Sequence, residues 1–279
     1  MTNIDAIPPD LSAKRDRLAD VLRGLESVAI AFSGGVDSTL LVAEARRVLG
    51  RDRVLAVTAT GDIFVPGEID EARRLTALLD VAHEVLETRQ LDDDLFRRNP
   101  PDRCYFCKLK IFGAVIDLAK ARGLAAVCDG ANVDDAKVYR PGMQAIAELG
   151  VHSPLKAAGF TKADVRALSR AIDLPTWNRP AAPCMATRFP YGQPVTPEGL
   201  RRVVAAEGIL KDLGFTNCRV RDHGTMARIE VAPEEIETLT VRHRARLVHD
   251  LKVLGYSYVA LDLEGYRSGA MDEVLPKNS

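Results

Sequence analysis

The sequence predicts an α/β fold: a parallel sheet with helices on both faces, followed by a smaller α-β-β-α-β domain. Residues 28–32 and 54–57 are apolar throughout, as in strands that are buried on both faces of a sheet. Segments with helical apolar spacing separate these runs, which indicates βαβ units and therefore parallel strands. After about residue 190 the order changes to helix, strand, strand, helix, strand.

Local signals place the elements of the first domain, which we predict to span residues 1–190. Gly50 ends one helix, and Thr161 with Asp164 forms a capping-box-like start for another. A Pro-rich connection over 173–197 closes the domain and is typical of a functional loop or a domain link. In chain order we predict a helix from Leu11, a strand over 28–32, a helix over 38–49, a strand over 54–57, a helix over 68–79, strands over 82–87 and 124–128 around a helix over 105–121, and a helix over 162–172.

The second domain is predicted to span residues 191–279. Alternating polar and apolar residues on either side of a turn at Asp222, His223 and Gly224 indicate a hairpin. We predict a helix over 197–213, strands over 216–221 and 225–231, a helix over 234–254 and a strand over 256–262.

The composition and net charge of the chain exclude some classes of function. The chain has 279 residues with 47% hydrophobic and 28% charged residues, as expected for a globular enzyme, and its net charge is −1. A dedicated nucleic-acid binder would need a basic excess, so we expect no nucleic-acid partner. There is neither an apolar run of membrane-spanning length nor a signal-peptide pattern at the start, so we expect a cytoplasmic protein without a membrane partner.

Residues 33–38, with the sequence Ser-Gly-Gly-Val-Asp-Ser, lie between a predicted strand and a predicted helix and carry the strongest functional signal. A helix N-terminus offers unpaired N–H groups to phosphate, and glycines let the backbone approach closely. The aspartate is suited to hold the Mg²⁺ that accompanies a nucleotide. A capped turn explains one glycine and one cap, but not two glycines, two serines and an aspartate together. The segment resembles the PP-loop superfamily of adenylating, adenine nucleotide alpha hydrolase-like enzymes, which implies ATP bound by Ser33, Gly34, Gly35, Asp37 and Ser38.

A second polar stretch, 129–135, follows the predicted strand over 124–128. In an open α/β sheet this end of the strand faces the ligand crevice. Gly130 would allow a nucleotide to approach, and Asp134 or Asp135 is a further candidate Mg²⁺ ligand. A polar loop with turn-forming residues explains the same pattern.

The five cysteines do not indicate a disulfide framework, because their number is odd and they are scattered along the chain. Cys104 and Cys107 form a Cys-x-x-Cys, which fits zinc, iron–sulfur and redox sites alike. Together with Cys184 they could hold three irons of a [4Fe–4S] cluster and leave the fourth iron open; unrelated reduced thiols are the alternative, which we consider the weaker one for Cys104 and Cys107. Cys128 and Cys218 lie in apolar strands and are interpreted as core residues.

Alternation brings several charged residues to one face of the predicted hairpin. Guanidinium groups there are suited to bind phosphate and carboxylate groups, although a solvated, salt-bridged sheet face is the more usual arrangement. The residues concerned are Arg219, Arg221, Arg228 and Glu230.

Taken together, these motifs resemble the LarE family of sulfur-insertion enzymes. The resemblance runs from about residue 15 to 272 and is most specific at the Cys184 segment and in the second domain. It is carried by residues 31–40, 129–135, 139–142, 184–192, 219–221, 227–230 and 261–269.

Membership would imply ATP-dependent adenylation of a carboxylate of pyridinium-3,5-biscarboxylic acid mononucleotide and its conversion to a thiocarboxylate, for the nickel-pincer nucleotide of lactate racemase. The resemblance further implies a homo-oligomer, such as a hexamer. By motif position, Cys184 matches the family's sulfur-bearing cysteine. The other matched positions are Lys108, Thr187 and Arg188 near that cysteine, and Glu207, Arg219, Arg221 and Glu230 at substrate or subunit contacts.

The sulfur source divides the family. Some members have only one cysteine and sacrifice its sulfur, becoming dehydroalanine; this chain adds Cys104 and Cys107, like the branch in which a [4Fe–4S] cluster carries the donated sulfide. We therefore expect the three sulfurs to surround one site. The competing hypotheses are another PP-loop reaction, amidation or tRNA thiolation, and a non-catalytic nucleotide sensor or iron–sulfur carrier.

Overall fold

The computed structural model describes residues 7–65, 67–137, 141–180, 183–267 and 269–275. Contacts divide the chain into two compact units. The first comprises Met1–Thr88 and Cys104–Ala182, and the second comprises Arg89–Arg103 and Pro183–Ser279.

This division differs from a single boundary near residue 190. Residues 89–103 join the second unit through backbone pairing with a distant segment: Gly192 donates its N–H to the Asn99 carbonyl, and Val195 donates to the Arg97 carbonyl, both at 2.9 Å. Pairing between distant segments leaves no local signal in the sequence.

A four-stranded parallel sheet forms the centre of the first unit, which confirms the predicted α/β class. Its strands follow the order β3-β2-β1-β4, so the first strand in the chain lies inside the sheet. They are β1 (Val28–Ala31), β2 (Val54–Thr60), β3 (Ala82–Glu87) and β4 (Ala126–Cys128).

Helices cover both faces of this sheet because β1 is apolar on both sides. Ile30 packs in one buried cluster with residues of α1, α2 and α8, whereas Ala29 packs in another with α5 and α6. The helices up to this point in the chain are α1 (Pro9–Gly24), α2 (Val36–Leu49), α3 (Glu68–Leu78), α4 (Asp94–Arg97, in the second unit), α5 (Arg103–Ala121), α6 (Pro141–Glu148), α7 (Pro154–Ala157) and α8 (Lys162–Ala171).

The second unit contains a three-stranded sheet with one buried apolar face. Strand β5 (Arg219–His223) is antiparallel to β6 (Met226–Glu230), and β7 (Tyr258–Leu261) is parallel to β6. Apolar residues of both sheet and helices form its core, including Val220 and Ile229. Its remaining helices are α9 (Pro197–Asp212), α10 (Ile236–Thr238) and α11 (Arg244–Val253).

Cys128 and Cys218 are fully buried in the two cores, as predicted. Burial raises the pKa of the Cys128 thiol far above its ordinary value and that of Cys218 to about 11. Both side chains therefore remain protonated thiols and act as small apolar residues.

Two local predictions for the second unit were wrong. Asp222 and His223 belong to strand β5, and the hairpin turns at Gly224, whose φ of 75° suits a two-residue connection. The predicted continuous helix over 234–254 is interrupted by a π-helical segment, Leu239–His243. The hydroxyl of Thr240 donates to the carbonyls of Ile236 and Glu237 there, and such bonds compete with regular helical pairing.

Among the described helices, none is both long enough and apolar enough to cross a membrane.

Candidate functional site

The six-residue segment predicted to bind phosphate forms the turn between β1 and α2. Gly34 has a φ of 68°, a conformation that favours glycine, and Gly35 is the N-cap of α2. Because Gly35 supplies no side-chain cap, the N–H groups of the first turn remain available to an anion. The Ser33 hydroxyl lies 3.3 Å from both the Ser38 hydroxyl and the Gly35 N–H. The backbone N–H groups and the two hydroxyl groups therefore lie together at the start of α2.

The loop after β4 packs directly on this turn. A Cβ atom on Gly130 would lie 3.1 Å from the backbone nitrogen of Ser38 and 3.4 Å from the carbonyl carbon of Asp37. A side chain at Gly130 would therefore displace the start of α2, so glycine is required there for the close approach of the two loops.

Asp37 is the acidic group of the phosphate loop and has two partners. Its Oδ1 accepts a hydrogen bond of 3.0 Å from Nδ2 of Asn132, and its Oδ2 forms an ion pair with Lys162. The Asp37 side chain is 20% exposed and that of Lys162 is 40% exposed, so the ion pair is open to solvent. A solvent-accessible carboxylate that already holds a cation is suited to exchange it for a metal ion.

Lys162 is a residue that sequence reasoning missed. It is the first residue of α8, and the predicted capping box of Thr161 and Asp164 fixes that helix start. Asp134 accepts the Lys162 backbone N–H at 2.8 Å. The capping box was the available signal, since it placed a lysine at a defined helix end.

The other carboxylates of the 129–135 stretch shape the loop itself. Asp135 accepts the backbone N–H of Asn132 at 2.9 Å, and the Asn132 side chain accepts that of Asp134 at the same distance. Asp129 is buried and accepts a 2.6 Å hydrogen bond from Ser153. Burial raises the pKa of Asp129, although the hydrogen bonds and the charge of Lys108 act in the opposite direction. The contact of Asp134 and Asp135 with a metal ion or a nucleotide stays a prediction.

Cys104 and Cys107 lie in the first turn of α5, in the first unit. Their spacing of three residues places both side chains on one side of the helix. Cys104 is exposed, Cys107 is half-buried, and the ammonium group of Lys108 lies 4.9 Å from the centre of the Phe112 ring. Gly142 lets α6 approach, because a Cβ there would lie 3.0 Å from Cγ of Lys108 and 3.3 Å from the Cys104 carbonyl oxygen.

Cys184 belongs to the second unit, where it precedes a short 3₁₀ turn, Met185–Arg188. Arg188 is buried and forms two hydrogen bonds with Glu207 of α9, at 2.8 and 3.0 Å. Its Nη1 also donates to the carbonyls of Pro183 and Cys184, at 2.9 and 3.4 Å. One buried ion pair thus holds the segment that carries Cys184.

The predicted charged face of the hairpin exists, but it is only partly solvated: Arg221 and Glu230 are buried, whereas Arg219 and Arg228 are half-buried. Arg221 and Glu230 form a two-bond ion pair at 2.9 and 2.6 Å, with side chains 5% and 0% exposed. Arg228 contacts the same carboxylate at 3.2 Å. Arg221 also donates to the Thr187 carbonyl at 2.9 Å, which ties this face to the Cys184 segment.

Arg219 differs from the other two arginines. It is half-buried, lies 4.9 Å from the centre of the Tyr266 ring and donates from Nη1 to the Cys218 carbonyl at 2.6 Å. Unlike Arg221 and Arg228, it has no carboxylate partner among the described residues, and its buried Nε, like that of Arg228, has no acceptor there. Desolvation and the charge of Arg188 lower its pKa. A positive charge in this position is suited to bind an anionic ligand.

Two similar proteins match nearly the whole chain. An uncharacterized protein of Synechocystis sp. is 41% identical over 268 residues, which are 96% of this chain and 100% of that protein. The pyridinium-3,5-bisthiocarboxylic acid mononucleotide synthase of Lactiplantibacillus plantarum is 41% identical over 267 residues, 96% of either chain. The chain belongs to the LarE family. No family model matches it.

A more distant match places the LarE family among the PP-loop enzymes. The tRNA-specific 2-thiouridylase MnmA of Desulforamulus reducens is 26% identical over 192 residues, 55% of this chain and 52% of that protein. Together with the phosphate loop, these relatives show that the chain is an ATP-dependent sulfur transferase.

Proposed function

We propose that this LarE-family enzyme adenylates a carboxylate of pyridinium-3,5-biscarboxylic acid mononucleotide and converts it to the thiocarboxylate, for the nickel-pincer cofactor of lactate racemase. One observation carries the proposal: an intact phosphate loop in a chain that is 41% identical, over 96% of its length, to a synthase named for the bisthiocarboxylic product. The proposed substrate is a dicarboxylate with a phosphate group, and Arg219 offers an anion-binding group for it.

The phosphate loop supports the proposed adenylation. A carboxylate oxygen of the substrate attacks the α-phosphorus of ATP, the bond to the β-phosphate oxygen breaks, and pyrophosphate leaves with the electron pair. Ser33, Ser38 and the free N–H groups at the start of α2 stabilise the charge that develops on the leaving group. Donated sulfur then replaces AMP on the activated carbon.

The residues around Asp37 fit a magnesium ion that arrives with ATP. Mg²⁺ is usually held by one or two carboxylates, phosphate oxygens and water. Asp37 offers one such carboxylate, Asn132 orients it, and Lys162 neutralises it before the metal binds. Among the described residues, no group of three or more His, Cys, Asp or Glu side chains is arranged to hold a metal ion. Gly130, Asp134 and Asp135 complete the proposed nucleotide site.

We propose that the second unit supplies the substrate contacts and the subunit contacts of a homo-oligomer. Arg219 is the foremost candidate for the substrate's anionic groups, because Arg221 and Arg228 already share the carboxylate of Glu230. Thr187 and Glu207 hold the surrounding segment in place.

Cys104, Cys107 and Cys184 are proposed to hold a [4Fe–4S] cluster, which would supply the sulfide that enters the substrate. Their chemistry fits: three cysteine residues, two of them on one side of α5, with Lys108 next to Cys107 and Arg188 bound to the Cys184 carbonyl. The positive charge of Lys108 would offset part of the negative charge of a cluster. The second hypothesis is that Cys184 donates its own sulfur and becomes dehydroalanine.

The proposal is tested on protein purified without oxygen. The wild type is mixed with ATP, Mg²⁺, a sulfide source and the dicarboxylate mononucleotide, and we expect AMP, pyrophosphate and thiocarboxylate in equal amounts. Formation of ADP, or of AMP without thiocarboxylate, would contradict the proposal.

Single alanine variants of the three cysteines then separate the sulfur sources. If the cluster is the donor, each variant loses bound iron and sulfur transfer together. If Cys104→Ala and Cys107→Ala retain one turnover and the mass of the protein shows dehydroalanine at Cys184, the sacrificial hypothesis is correct.

A further inference from the structure

Arg179 is a cationic residue of the first unit that contacts the phosphate loop from a distant part of the chain. Its Nη1 donates a 3.1 Å hydrogen bond to the carbonyl of Gly34 and lies 3.4 Å from Oε1 of Glu71. The Arg179 side chain is 30% exposed, so its free edge is accessible to a ligand on the loop.

The backbone of Arg179 is fixed by α8. Arg166 donates two hydrogen bonds of 2.9 Å, one to the carbonyl of Trp177 and one to that of Arg179. Arg170, one turn further along α8, lies with its guanidinium 4.9 Å from the centre of the Trp177 ring. The same helix begins with Lys162 at Asp37. One helix therefore positions two cations around the phosphate loop.

The guanidinium of Arg179 has further hydrogen-bond donors that can contact a ligand. Of its five N–H groups, only those on Nη1 hydrogen-bond to described residues. Its ion pair with Glu71 is also the weaker of two, because Arg74 contacts the same carboxylate at 2.7 and 2.9 Å. Arg74 lowers the pKa of Glu71, which stays ionised when Arg179 departs.

We infer that Arg179 binds the terminal phosphates of ATP and holds the pyrophosphate as it leaves, returning to Glu71 when the site empties. The inference rests on the proposed adenylation. A guanidinium next to Gly34 is positioned for two parallel hydrogen bonds to phosphate oxygens, which are shorter and stronger than its 3.4 Å contact with Glu71. Glu71 acts as a counter-ion that competes with pyrophosphate for Arg179.

The test compares Arg179→Gln with Arg74→Gln. Both variants remove one arginine partner of Glu71, but only Arg179 contacts the phosphate loop. Pyrophosphate and AMP are titrated into each Mg²⁺-loaded protein by calorimetry. We expect Arg179→Gln to weaken pyrophosphate binding about tenfold or more and to leave AMP binding unchanged. Arg74→Gln leaves Arg179 in place, so it should weaken pyrophosphate binding much less, only as far as Glu71 then holds Arg179 more tightly, and should also leave AMP binding unchanged. Arg179→Lys keeps the charge and should recover part of the affinity.

A Glu71→Gln variant provides a second arm if Arg179→Gln does not fold. Removing the competing carboxylate should tighten pyrophosphate binding in this variant. Equal effects of Arg179→Gln and Arg74→Gln, or weaker pyrophosphate binding in Glu71→Gln, would overturn the inference and leave Arg179 a structural residue. The two proposals fail in different experiments. The inference about Arg179 fails in the binding measurements on the variants, whereas the proposed function fails if the wild type makes no AMP and pyrophosphate.

Discussion

The buried ion pair between Arg188 and Glu207 leads to a quantitative prediction of stability. The two side chains are 3% and 6% exposed, and the Glu207 carboxylate also accepts the backbone N–H of Val220 at 3.2 Å. Glu207→Gln preserves the shape of the side chain but leaves the Arg188 charge buried without a counter-ion. Breaking a buried pair in this way costs about 3–5 kcal/mol, which is roughly a hundredfold to a few thousandfold in the folding equilibrium.

The matched control lies on the same helix. Glu198 pairs with Arg201 at 3.2 Å, but these side chains are 77% and 71% exposed, so Glu198→Gln should cost at most about 0.5 kcal/mol. Urea unfolding of both variants gives the two free energies, and the rate of Cys184 alkylation reports whether the segment held by Arg188 has loosened. A difference of less than about 1 kcal/mol between the variants would refute the reasoning.

Three further predictions concern the nucleotide site, the substrate and pH. Asp37→Asn should abolish AMP formation, measured by chromatography, while the circular dichroism spectrum stays native, because the side chain holds the proposed metal and lies outside the core; an active variant would contradict this. Arg219→Ala should raise the KM for the mononucleotide roughly tenfold to a hundredfold and leave that for ATP unchanged, with the exposed Arg201→Ala as control, and equal kinetics in both would refute it. Burial and Arg73 lower the pKa of His83, so the unfolded chain takes up a proton before the native protein does. The free energy of unfolding should therefore fall as the pH drops through about 6.5, and less steeply in His83→Gln.

The sequence was sufficient for features that are encoded locally. The apolar runs identify β1 and β2 because strands buried on both faces require such runs. The phosphate loop is equally local, since its glycines, serines and aspartate lie within six residues. The capping box of α8 was also recognisable, and the structure contains both of its reciprocal hydrogen bonds.

The remaining features depend on contacts between distant residues. Lys162 and Arg179 reach the phosphate loop only after the chain has folded around the sheet. The capping box marks the helix end at which Lys162 lies, but no local pattern shows that either residue contacts the loop. The arginine hairpin illustrates a second limit. Alternation identified the charged face, but only the packed structure shows that Arg221 and Glu230 neutralise each other while Arg219 keeps a buried nitrogen without an acceptor among the described residues.

The hydrogen bonds of Cys184 bear on whether the fold survives modification or loss of its sulfur. The bonds described at this residue use its carbonyl oxygen, which accepts from the backbone and hydroxyl of Thr187 at 3.1 and 2.8 Å and from Arg188 at 3.4 Å. The thiol contributes to none of them. The sulfur can therefore be alkylated, bound to iron or lost while the segment keeps its anchors. A protein molecule that has lost the Cys184 sulfur would therefore keep its fold. Restoring the side chain would require a source of sulfide but no refolding.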